Sequence, residues 1–190
     1  MRQDQTRSIQ FLTPDEIKRL FGVIESPRDR AMFLLAYRHG LRASEVGLLQ
    51  TGDLDLKRGR IRLHRLKGSM SGENPMQPDE LKAVRSWLRQ RREESPILFT
   101  SNRRTGISRR MLDVLMKRYG KAAGLPVGKR HFHCLKHTIC THLLDASDNL
   151  RFVQDWVGHA NIQNTVIYSQ LSAGSRVAKA REAFSKLPRF

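Results

Sequence analysis

HFHCLKHTICTHLLDASDNLRFVQDWVGHANIQNTVIY, residues 131–168, is the stretch from which the fold and the chemistry of this chain are read. His133 and Lys136 fall at the start of an expected helix. A second helix ends at Gly158, His159 comes just past that end, and Tyr168 follows a short turn later. A tyrosine hydroxyl is a weak nucleophile at its ordinary pKa, so attack on phosphorus needs cations and proton acceptors gathered around it. Two imidazoles and an ammonium precede Tyr168 here, which points to phosphoryl transfer on nucleic acid through a phosphotyrosine.

The rest of the chain agrees with such a partner. Its 190 residues suffice for one well-buried core. Against 18 Asp and Glu stand 35 Lys and Arg, a formal charge of +17, which favours a polyanion through counterion release. The basic residues are spread along amphipathic segments, so they clothe a folded domain. No apolar run is long enough to span a bilayer, and MRQDQTRSIQ at residues 1–10 has no signal-peptide core. Cys134 and Cys140 read as reduced thiols of a cytoplasmic protein.

Upstream, Thr13-Pro14-Asp15-Glu16 carries an N-cap, a proline at the first helical position and a capping-box glutamate. Ser26-Pro27 opens the next helix, which is nearly all apolar from Met32 to Tyr37, and Gly40 stops it. Arg42 then lies between that stop and a fresh helix start. It can point into a cleft or pair with Glu45 at the surface, and composition favours the surface pair. From Asp53 the period changes to two. Leu54 and Leu56, then Ile61 and Leu63, alternate with polar residues, and Asn74-Pro75-Met76 adds a third strand. Lys67 sits at a hairpin tip of this small antiparallel sheet. Pro78 opens a further helix, Pro96–Phe99 is extended, and Ser108 caps a helix with Met111, Leu112, Leu115, Met116 and Tyr119 inward. A last amphipathic helix is expected over 175–187. The fold class is mainly α with a small antiparallel β-sheet.

His131, His133, Cys134, His137, Cys140 and His142 raise the question of zinc. One-turn spacing suits a metal, yet there is no second ligand cluster and no paired finger spacing, so no metal or other cofactor is expected. His137 reads as a hydrogen-bonded histidine beneath the site.

GLRASE at 40–45, RLKG at 65–68, HCLKH at 133–137, VGH at 157–159 and Tyr168 within NTVIY occur in that order. Together they resemble the catalytic domain of the tyrosine recombinase (phage integrase) family over nearly the whole chain. The resemblance implies that Arg42 clamps the scissile phosphate and that Lys67 protonates the leaving 5′ oxygen. It further implies that His133 assists proton transfer, that His159 donates to the phosphate, and that Tyr168 is the nucleophile. The family's second arginine is Lys136 here, which keeps the charge without the planar fork. Implied partners are double-stranded DNA and further copies of the chain, as a tetramer on DNA, with no membrane. The division expected is a polar leader (1–12), a catalytic domain (13–174) and a C-terminal helix (175–190), whose apolar stripe either docks on a neighbouring protomer or packs back on its own domain. With so short a leader, the chain resembles compact members such as fimbrial invertases, or a catalytic fragment. The rival activities are type IB topoisomerase-like relaxation and DNA-binding regulation with weakened catalysis.

Overall fold

The computed structural model describes residues 9–66, 69–92, 94–169 and 184–185. Helix α1 (Pro14–Gly22) starts as its sequence dictates. The Thr13 hydroxyl accepts from the Glu16 N–H, the Glu16 carboxylate accepts from the Thr13 N–H, and Pro14 needs no partner. Helix α2 (Pro27–His39) is capped by Ser26, and the run Ala31–Ala36 is wholly buried, which makes it the central helix. Its Phe33 ring meets Tyr119 and Phe132 edge-on, at centroid distances of 5.7 and 5.3 Å. Gly40 takes a left-handed φ of 58° and turns the chain into α3 (Ala43–Val46).

Strands β1 (Leu54–Asp55), β2 (Arg60–Leu63) and β3 (Gly72–Pro75) form one antiparallel sheet in sequence order. Leu54 pairs with Ile61, and Ile61 with Asn74. Ile61 and Leu63 face inward while Arg62 is exposed, as a period of two requires. Helix α4 (Pro78–Gln90) packs on α2, and α5 (Arg109–Ala122) buries Leu112, Leu115, Met116 and Tyr119. Met111, expected inward, is 47% exposed, because it lies one position outside that i, i+3, i+4, i+7 stripe.

Helix α6 (Cys134–Ser147) packs against α2 and is tied to the segment before α1. The Leu12 N–H donates to Thr138 Oγ1, Leu12 O lies 2.9 Å from His142 Nε2, and the Cys134 thiol donates to Gln10 O. Helices α7 (Leu150–Val157) and α8 (Gln163–Ser169) pack on α6 around a second apolar cluster of Ile139, Cys140, Leu144, Val153, Val157 and Tyr168. Both cysteines are free and buried. Mainly helical structure with a three-stranded sheet is the architecture the sequence implied. No helix of the described residues is long and apolar enough to cross a membrane. The helix expected over 175–187 lies outside the described residues except for Phe184 and Ser185, and so does most of the leader.

Candidate active site

Arg42 follows the Gly40 turn in extended geometry (φ −73°, ψ 154°) at the entry to α3. Its N–H donates to Glu45 Oε2 at 2.8 Å. Its guanidinium donates to Glu45 Oε1 at 2.9 Å and to Ser69 Oγ at 2.6 Å. The Arg42 side chain keeps 32% of its exposure and lines a cleft of about 460 Å3 with Ser44, Arg109, Asp113, His131 and His133. Arg42 therefore faces a cleft and pairs with Glu45, but the pair is not the surface one that composition favoured, because Glu45 is buried.

Glu45 is shared. Its second oxygen accepts from Arg65, whose side chain is 1% exposed and which also donates to Gly40 O and His39 O. Burial alone would raise the Glu45 pKa. The Arg42 backbone N–H and the charges of Arg65 and Lys136 outweigh that and hold it below the usual carboxylate range. Sequence reasoning assigned Arg65 no role of its own. The signal was its register: Arg65 continues the inward parity of Ile61 and Leu63, where a charge must find a buried partner.

His133 caps the N-terminal end of α6, and Lys136 and His137 fall in the first turn. Lys136 is 2% exposed, and its ammonium donates to Val157 O at 3.4 Å. Burial, then the charges of Arg65 and Arg42, push its pKa down to about 8. His133 is exposed at the cleft, and partial desolvation of its ring, then the charges of Lys136, His131, Arg42 and Arg109, lower its pKa below the usual 6.5. His159 follows the left-handed Gly158 (φ 68°) and is 4% exposed, with Nδ1 3.0 Å from Thr165 Oγ1. Burial, then Lys136, Arg42 and Arg65, lower it to about 4. Both imidazoles are thus neutral at pH 7, beside cations that would welcome an anion.

The hairpin between β2 and β3 is fastened to this cluster. Ser69 bridges to His159 and reaches Arg42, and the Met70 N–H donates to Gly158 O at 2.9 Å. Lys67 lies outside the described residues, between Leu66 and Ser69.

Tyr168 differs from the sequence expectation. Its ring is 2% exposed in the second apolar cluster, and Oη lies 2.8 Å from His137 Nδ1. Burial, reinforced by the Cys140 thiol, raises its pKa above the usual tyrosine value, so the surrounding cations do not activate it in this state. The other tyrosines are engaged elsewhere, Tyr119 with Asp29 at 2.7 Å and Tyr37 with His142 at 2.9 Å. The structure therefore brings Arg42, His133, Lys136 and His159 into one electrostatic neighbourhood, and sets Tyr168 beside His137 at its edge. The His133 and His137 rings meet edge to face at 4.5 Å, and no group of three or more His, Cys, Asp or Glu among the described residues is arranged to hold a metal ion.

Tyrosine recombinase XerA of Thermococcus kodakarensis is 37% identical over 176 residues, covering 90% of this chain and 61% of that protein. Type 1 fimbriae regulatory protein FimE of Escherichia coli is 34% identical over 172 residues, 86% of either chain. The chain thus spans about three-fifths of the length of XerA and most of that of FimE. The crystal structure of XerA recombinase superposes with a TM-score of 0.77 at 29% identity, over 95% of this chain and 66% of that one. XerH site-specific recombinase, bound to a palindromic difH substrate in a post-cleavage complex, shares the fold with a TM-score of 0.78 at 21% identity, over 94% of this chain and 54% of that one. The pattern of the Phage integrase family matches residues 10–174, and with that match over most of its length the chain belongs to the phage integrase family of tyrosine recombinases.

Proposed function

We propose that this chain breaks and rejoins double-stranded DNA at specific sites through a 3′-phosphotyrosine. The supporting observation is a basic cleft lined by Arg42 and His133, with the buried Lys136 and His159 near enough behind it for their charges to act on one another and with Tyr168 on the adjoining helix. A phosphodiester resists attack because its anionic oxygens gain charge in the transition state. Fixed donors aimed at those oxygens supply the stabilisation. Arg42 clamps the phosphate, already oriented by Glu45. His159 donates to a phosphate oxygen, and His133 assists binding and proton transfer. Lys136 supplies a point charge in the arginine's place. Tyr168 Oη forms the new bond to phosphorus as the bond to the 5′ oxygen breaks, its phenolic proton leaving through His133 once the phosphate is bound, and Lys67 delivers a proton to the 5′ oxygen. The tyrosine ester conserves the bond energy, so rejoining needs no nucleotide hydrolysis.

On this reading residues 13–174 are the catalytic unit, 175–190 dock on a neighbouring protomer, and the working assembly is a tetramer on DNA in the cytoplasm. XerA and XerH, which this chain resembles, are named as recombinases, and the XerH complex holds DNA. A second reading, a DNA-binding regulator, draws on the buried state of Tyr168 and on Lys136. A nicked suicide duplex decides between them. Wild-type protein with EDTA present should be trapped on a 3′ phosphate, and Tyr168→Phe should abolish the adduct while binding stays nearly intact. Specific binding without an adduct would favour the regulator, and supercoil relaxation without recombinant products a topoisomerase.

A further inference from the structure

Helix α8 is fastened by two hydroxyl-to-imidazole contacts. Thr165 Oγ1 lies 3.0 Å from His159 Nδ1, and Tyr168 Oη lies 2.8 Å from His137 Nδ1. His159 and Tyr168 have roles in the proposed reaction, whereas His137 has none. We infer that His137 holds the Tyr168 hydroxyl in a buried resting position, and that this hydrogen bond must break before the oxygen can attack phosphorus. The inference rests on the proposed nucleophilic role of Tyr168.

The alternative use of the same contact is general-base catalysis, with the phenolic proton moving onto Nδ1. The surroundings argue against it. Burial, then the neighbouring His133, His131 and Lys136, lowers His137 to about 4, while burial and Cys140 raise Tyr168. The proton affinities of donor and acceptor are driven apart, so transfer along this bond is steeply uphill. A neutral phenol donating to a neutral imidazole is the favoured arrangement, and it stabilises the unreactive form of the nucleophile. Access points the same way. Tyr168 is 2% exposed and packs with Ile139, Leu144, Val153 and Val157, so a phosphate in the cleft cannot meet Oη until the ring leaves the cluster. The His133 ring, which lines the cleft, touches the His137 ring edge to face. A phosphate drawn to His133 therefore acts one ring away from the bond that holds the nucleophile.

The test is single-turnover adduct formation at saturating protein, on a nicked duplex carrying the inverted repeat nearest the gene. His137→Phe keeps a ring and removes the acceptor. It should raise the rate about fivefold, the equivalent of one neutral hydrogen bond of ~1 kcal/mol. His137→Asn restores an acceptor near the Nδ1 position and should return the rate toward wild type. A roughly tenfold or greater loss in His137→Phe would overturn the inference, making His137 the base if His137→Asn does not recover it and a productive positioning contact if it does, and so would an unchanged rate. A readout that needs no His137 variant is the 15N resonance of His137 Nδ1. On adding the same duplex to wild-type protein, it should move to its value in free Tyr168→Phe. A resonance that keeps its resting position in a complex competent to cleave overturns the inference even where His137→Phe does not fold. Absence of any Tyr168-dependent adduct in wild type overturns the reaction itself. An adduct with the wrong His137 response overturns only the holding role.

Discussion

Lys136 stands where the resemblance implies an arginine, and its surroundings give that difference a consequence. An arginine could contact two phosphate oxygens with parallel hydrogen bonds, whereas the ammonium is a point charge steadied by Val157 O. A charge-assisted contact of this kind contributes about 1.5–3 kcal/mol, so Lys136→Ala should slow cleavage of bound DNA roughly ten- to a hundredfold and weaken binding far less. The pH dependence follows from the lowered pKa. Lys136 is charged below about 8 and loses its proton as pH rises through that value, while an arginine keeps its charge. The ratio of Lys136→Arg to wild-type single-turnover rates should therefore climb above about pH 8. A ratio independent of pH would remove the Lys136 charge from the reaction.

The elements were legible in the sequence where their signals are local. Thr13, Ser26 and Ser108 cap helices because a hydroxyl accepts from an amide only three residues on. Gly40 and Gly158 stop helices because only glycine takes a left-handed φ without strain. The alternation of Ile61 and Leu63 placed the sheet. The order of the site motifs was legible too, but contacts between distant elements were not. The Arg65–Glu45 pair and the Tyr168–His137 contact depend on which helix face meets which, and no local pattern encodes that over 20 or 31 residues. Gly158 shows how an element end serves the site. A Cβ there would stand 2.6 Å from Met70 O, and the positive φ adds strain. Gly158→Ala should cost about 1–2 kcal/mol in chemical denaturation and push the hairpin off the loop carrying His159. Cleavage should then fall more than DNA affinity; unchanged stability and rate would mean that this junction is slack.

For the whole molecule, a positive site built before its anion arrives has a thermodynamic signature. His137 and His159 sit at about 4 in the fold against an ordinary 6.5, so the folded chain binds fewer protons than the unfolded chain between those values. Their contribution to stability is fully present above 6.5 and is lost as pH falls toward 4. Glu16 and Glu45, held below the usual 4.5, add their own loss further down. Urea midpoints of the free protein should drop between pH 6.5 and 4.5, and His159→Gln should flatten that drop. Stability that is level across this window would contradict the neutral state of these imidazoles. The proposed reaction stands on one covalent bond. Trapped adduct, digested and sequenced by tandem mass spectrometry, should carry a 3′-phosphonucleotide on the peptide containing Tyr168. The same modification on Tyr37, Tyr119 or a serine, or linkage through a 5′ phosphate, would contradict it.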